Sequence, residues 1–189
     1  VWATENTRDS IFDAMLRKEV FGTSGPRIRP RLFAGWTLDE NLCQSNDMIS
    51  SAYANGVPMG ADLMPSDAHG KPKFLAYAVK DPDGQKLQAL HLVKGWVDSQ
   101  GKMNTQVIPV SEDTSGADSL CHVYTDNNFN PSQSAYYYLR AVEPKTPRWH
   151  TYDCASLSES DRPAVCSDGS YPETIQEMAW TSPIWYKGN

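Results

Sequence analysis

The groups in this 189-residue chain that could do chemistry are few and scattered. Its four histidines are His69, His91, His122 and His150, and none forms His-x-His. Asp67-Ala68-His69 has a metal-ligand spacing, but Gly70-Lys71-Pro72 follows at once, so a solvated loop is expected there, with weak metal binding at most. Cys121 and His122 are adjacent. In a strand they point to opposite faces, which excludes a simple nucleophile–base pair. Thr23-Ser24-Gly25-Pro26-Arg27 is a better candidate for ligand binding. Gly25 permits close backbone approach, and Arg27 or Arg29 could clamp an anion through paired N–H donors. The same run also reads as a plain turn between two units. The loop Gly56-Val57-Pro58-Met59-Gly60-Ala61-Asp62 offers Asp62 as a substrate contact or, equally, as a solvated carboxylate. No Gly-x-Ser-x-Gly, P-loop or dinucleotide fingerprint is present.

The cysteines Cys43, Cys121, Cys154 and Cys166 contain no close pair, which argues against zinc fingers and thioredoxin-like motifs. Four cysteines allow three connectivities. The polar segment from Cys154 to Cys166 reads as a surface loop that a disulfide would close, worth about 3 kcal/mol by the chain-entropy model. Cys43 and Cys121 then form the second pair. Disulfides imply a periplasmic or secreted protein.

These residues need elements to position them. Ile11, Phe12, Met15 and Leu16 recur at helical spacing, with Asn6 and Asp9 at capping-box spacing, so a helix is expected to run to about Lys18. Val20 to Gly22 is β-like. Beyond Arg27 the period becomes two, over 27–34, 73–80, 87–97, 103–110, 120–124, 135–142 and 179–186. Asp81-Pro82-Asp83-Gly84 is a turn with its own mechanism, Pro fixing φ and Gly accepting positive φ. A short helix is expected over 47–53. Strands of this length between Gly, Pro and Asp turns predict an antiparallel β-sandwich.

Composition agrees with a folded domain: 40% hydrophobic and 21% charged residues. The net charge of −6 disfavours nucleic acid and anionic membranes, and no apolar run approaches a membrane span. The aromatic residues Tyr136, Tyr137, Tyr138, Trp149, Tyr152, Trp180, Trp185 and Tyr186 crowd the C-terminal part. They predict core and interdomain packing or, where exposed, a carbohydrate or peptide platform.

Several runs, taken in order, carry a resemblance. They are Trp2-Ala3-Thr4-Glu5-Asn6-Thr7-Arg8, Thr23-Ser24-Gly25-Pro26-Arg27-Ile28, Gly56 to Leu63, Val93-Lys94-Gly95-Trp96-Val97-Asp98, Tyr136 to Arg140, Thr146-Pro147-Arg148-Trp149 and Gln176 to Tyr186. Together they resemble the C-terminal third of the DUF 3604 family, a domain-of-unknown-function family related to PHP (polymerase and histidinol phosphatase) metal-dependent hydrolases. The resemblance implies an exported parent with a distorted βα barrel and a divalent metal held by His-x-His and Asp-x-His motifs upstream. Asp67 and His69 sit where the family tends to have a variable loop, so no ligand role carries over to them.

The fold expected is mainly β: residues 1–26 as the last helix-strand element of a PHP-like barrel, and 27–189 as an antiparallel β-sandwich-like domain. The opening Val1-Trp2-Ala3, without Met or signal peptide, fits the later part of something longer. The partner implied is the N-terminal barrel portion of the same protein. This chain is expected to bind no metal itself, and to shape one cleft wall through Thr23, Ser24, Arg27 and Asp62, because strand C-termini face the active site in such barrels. The alternative is a non-catalytic β-sandwich module that binds through exposed aromatics. The two differ in one feature. A barrel remnant leaves Ile11, Phe12, Met15 and Leu16 uncovered by the rest of the chain, whereas a free-standing module buries them.

Overall fold

The computed structural model describes residues 1–66 and 70–188. Asp67 and His69 therefore lie outside the described residues. Helix α1 spans Arg8–Leu16. Its cap is Thr7 rather than Asn6: Thr7 has an extended backbone, and its hydroxyl accepts the Ser10 N–H at 3.3 Å. The helix ends at Leu16, with its last apolar position and two residues short of the expected Lys18, which takes φ +59°. Gly60 is packed against this turn. A Cβ there would lie 2.2 Å from the Lys18 carbonyl oxygen, and φ at Gly60 is +89°.

The strands form two sheets. The larger contains β1 (Phe21–Thr23), β4 (Asp62–Leu63), β6 (Leu87–Val97), β7 (Met103–Ala117), β9 (Ala135–Pro147), β10 (Thr174–Thr181) and β11 (Ile184–Tyr186). The chain β7–β6–β9 runs across it. On the far edge of β9, β10 and β11 follow each other in line, with β1 outside β10 and β4 outside β11. The smaller sheet has the order β3 (Val57–Pro58), β2 (Arg29–Gly35), β5 (Lys73–Val79), β8 (Ser119–Thr125). Pairing is antiparallel apart from the short β4–β11 contact. The fold is thus mainly β and antiparallel, as the period-two runs predict.

One core lies between the sheets. Leu32, Phe74, Ala76 and Leu120 from the small sheet meet Leu90, Leu92, Tyr137 and Leu139 from the large one. The outer face of the small sheet is covered as well. Phe33, Leu75 and Val123 pack under Leu42 and under Ala52 of α2 (Met48–Asn55). The disulfide Cys43–Cys121 ties this cover to β8.

Residues 1–23 are joined to the same body. β1 pairs with β10, and Ala14 is buried. The Trp2 indole N–H donates to the Pro30 carbonyl at 2.9 Å, with the Arg31 guanidinium 3.6 Å over its ring. Two elements depart from the alternation pattern. The expected strand 179–186 is two strands broken at Ser182-Pro183, where proline offers no N–H to the ladder. The segment from Cys154, expected as a plain loop, begins inside a helix, α3 (Trp149–Ser156).

Candidate functional site

Thr23 ends β1 opposite Ala179, with its side chain exposed. Ser24 extends the ladder one step further: its N–H donates to the Met178 carbonyl at 3.0 Å, and its Oγ accepts the Met178 N–H at 3.0 Å. Its hydroxyl donates to the Glu177 carboxylate. Arg27 is engaged in the same region. Its backbone N–H reaches Asp81 Oδ2 at 2.6 Å, its Nε the same oxygen at 3.3 Å, and its Nη2 reaches Asp83 at 2.9 Å. The Arg27 backbone N–H, then the Asp83 N–H, then the guanidinium hold the Asp81 carboxyl down to about 2. Asp81 in turn pushes the guanidinium up. Lys80 Nζ caps the Asp81-Pro82-Asp83-Gly84 turn through three carbonyls, at 2.9, 3.0 and 3.2 Å.

Ser24 and Arg27 therefore meet the carboxylates of Glu177, Asp81 and Asp83, partners that no local sequence signal assigns to them. Glu143, on β9, is only 3% exposed, and its Oε1 makes no hydrogen bond. Burial pushes its carboxyl up, and the charges of Glu177 and Asp81 add to this while Lys80 opposes it. Asp81 and Asp83 were visible as a turn signal, but their pairing with Arg27 spans more than 50 residues and has no local signature. These groups do not fit a divalent metal. Among the described residues no three His, Cys, Asp or Glu side chains are placed to hold one, and Arg27 already pairs with Asp81 and Asp83.

Asp62 is not part of this cluster. It lies on β4 opposite Trp185, whereas Thr23 lies opposite Ala179. On the continuous strand β9 these partners lie opposite Ala141 and Tyr136, five residues or about 17 Å apart. Asp62 instead borders a hollow of about 690 Å³ with Met64, Trp185 and Lys187. A second hollow of about 380 Å³, lined by Gly95, Val97, Thr105 and Tyr136, shares Ser134, Trp185 and Tyr186 with the first.

The aromatic residues divide by strand alternation. Tyr137 and Tyr186 are core. Tyr136, Tyr138, Trp180 and Trp185 belong to the opposite, outer face of the large sheet. The Tyr136 ring centroid is 5.4 Å from that of Trp185 and 6.4 Å from that of Tyr138, and the two tyrosine rings are within 14° of parallel. Arg140 Nη2 donates to Tyr138 Oη at 2.6 Å. His91, on the same face, has its imidazole pushed down by burial.

Both disulfides pair as expected, Cys43 with Cys121 and Cys154 with Cys166, so Cys121 is no nucleophile. No helix among the described residues is long and apolar enough to cross a membrane. On α1, Phe12, Met15 and Leu16 are 58%, 56% and 64% exposed, whereas Ile11, expected to be uncovered with them, is half-buried.

These features define a disulfide-bonded, mainly β protein with three large apolar side chains exposed on α1 and no metal cage among its described residues. The chain matches the model of the family described as "Protein of unknown function (DUF3604)" over residues 1–114 and 111–188, and it belongs to that family. No curated protein and no solved structure matches it.

Proposed function

We propose that this chain is the non-catalytic C-terminal part of an exported, PHP-like metal-dependent hydrolase acting on phosphoester-type bonds. In this reading it docks on the catalytic barrel and forms one wall of its cleft. The observation that carries the reading is the uncovered face of α1. A helix whose large apolar side chains face water lacks a partner that its sequence pattern calls for. Covering the exposed parts of Phe12, Met15 and Leu16 is worth about 4 kcal/mol. The neighbouring β1 has a strand on only one edge among the described residues, so a barrel element has both a helix face and a strand edge to join. Two disulfides suit an exported protein.

A divalent metal would sit on barrel residues outside this chain, so no catalytic step is assigned to side chains here. Thr23, Ser24, Arg27 and Asp62 remain the wall residues of this reading, Arg27 and Ser24 at one end of the large sheet and Asp62 at another position along its edge. The test is hydrolysis of bis(p-nitrophenyl) phosphate with added Mn²⁺, Mg²⁺ or Zn²⁺, by the natural gene product and by the 189-residue chain. Metal-dependent turnover by the gene product alone is expected. It should fall in Phe12→Ser/Leu16→Ser, while the melting temperature of the isolated chain stays unchanged. Turnover by the 189-residue chain, or none by the gene product, overturns the reading.

A further inference from the structure

The two faces of this double-sheet body are finished differently. The outer face of the small sheet lies under α2, whereas on the outer face of the large sheet Trp185 is exposed and Tyr136 and Tyr138 are half-buried. We propose that this face, continuous with the groove running past Trp185 toward Asp62, binds a neutral oligosaccharide chain.

The rings are held in place before any ligand arrives. A Cβ at Gly95 would fall 2.2 Å from the Tyr136 ring, so glycine is what lets this ring lean across β6. Arg140 fixes the Tyr138 phenol, and Trp185 is carried by a strand paired on both edges, with β9 and β4. Tyrosine and tryptophan present large rigid faces at low entropic cost, suited to stacking on the C–H face of a sugar ring. The face also lacks the net positive charge that a polyanion needs, since Lys187 in the groove is matched by Asp62. From Met103 and Val97 across Tyr136 and Tyr138 to Trp185 the side chains are apolar, aromatic or hydroxyl-bearing, and Arg140 is already bonded to Tyr138. Thr105 and Ser134 supply uncharged hydroxyls of the kind that sugar hydroxyls require. The shape is elongated. Two hollows, of about 380 and 690 Å³, share Trp185, so the exposed indole stands in the middle of a track rather than at the bottom of a pit. A linear chain fits such a track better than a compact small molecule does.

The test reads binding by the 189-residue chain alone, so its outcome is independent of the hydrolase reading. Cellohexaose, xylohexaose, maltohexaose and chitohexaose are titrated against the chain by tryptophan fluorescence, with amide chemical shifts mapping the site. At least one should bind with Kd below about 1 mM. Trp185→Ala and Tyr138→Ala should each weaken it about tenfold or more with the melting temperature retained, and Trp149→Ala, on α3, should change it less than about twofold. Absence of binding by all four sugars overturns the proposal. So does binding indifferent to Trp185→Ala and Tyr138→Ala, or a dimer in sedimentation equilibrium that Trp185→Ala dissolves, which would assign the face to a second copy of the chain.

Discussion

The buried pair Lys94–Asp126 offers a sharp test of how this body is held together. Lys94 Nζ lies 2.6 Å from Asp126 Oδ2, and the two residues are only 4% and 1% exposed. The same oxygen accepts the Tyr137 hydroxyl at 2.8 Å, and Oδ1 accepts the Asn128 N–H at 2.9 Å. Lys94 also donates to the Asn128 carbonyl at 3.0 Å. The network thus ties β6, β9 and the turn after β8. Burial, then the Asp126 charge, pushes the Tyr137 phenol far up, so it remains a donor at ordinary pH. Asp126→Asn removes the anion and leaves a buried ammonium facing a carbonyl and an amide. Breaking one partner of a buried pair costs about 3–5 kcal/mol. In a chain of this size each kcal/mol moves Tm by roughly 2–4 °C, so a fall of about 6–20 °C is expected. Lys94→Met should cost less, because Asp126 keeps two donors. Lys94→Met/Asp126→Asn should recover part of the loss, since two neutral groups replace two charges. Calorimetry with disulfides intact reads all three. A fall of less than about 2 °C in Asp126→Asn, or a double variant worse than the sum of the singles, refutes the reasoning.

The two disulfides should act on different scales. Cys43–Cys121 closes a 78-residue separation across the body, so Cys43→Ser/Cys121→Ser should lose about 4 kcal/mol of global stability in urea unfolding. Cys154–Cys166 closes only 12 residues, in a stretch with no buried side chain from Trp149 to Glu173, so the bridge holds that stretch against local opening rather than the core against global unfolding, and its double serine variant should keep its Tm and gain protease cuts there. Asp81, held at about 2 against an ordinary 3.8, contributes stability that is full above the unfolded value and fades as pH drops from about 4 toward 2. Asp81→Asn should flatten that acid limb more than Arg27→Ala does, because the Arg27 and Asp83 backbone donors survive the latter. Glu143 has the opposite sign. Its carboxyl is pushed up, so the folded state is penalised as pH rises past its raised value, and Glu143→Gln should melt higher than the parent at pH 7 but not at pH 4.

How far these features were legible follows from the range over which each is encoded. Alternation is local, and it located β5, β6 and β8 almost to the residue, because each has one face on the core. It also determined that Tyr137 would point inward if Tyr136 and Tyr138 pointed out, although not which set the core would take. It failed at Ser182-Pro183, where an apolar run continues through a break that only the missing proline N–H and the approach of Val20 and Gly60 explain. It failed again at α3, whose polar residues bury nothing. The functional geometry is the least local of all. Ser24 meets Glu177 across 153 residues, Arg27 meets Asp81 across 54, and Asp62 is drawn away from both by a two-residue parallel pairing with β11. Four residues that looked like one cleft wall are therefore held at two places on the large sheet. A single small substrate does not reach both, and the groove that Asp62 borders runs past Trp185, which stands between Asp62 and Tyr136 in the strand register.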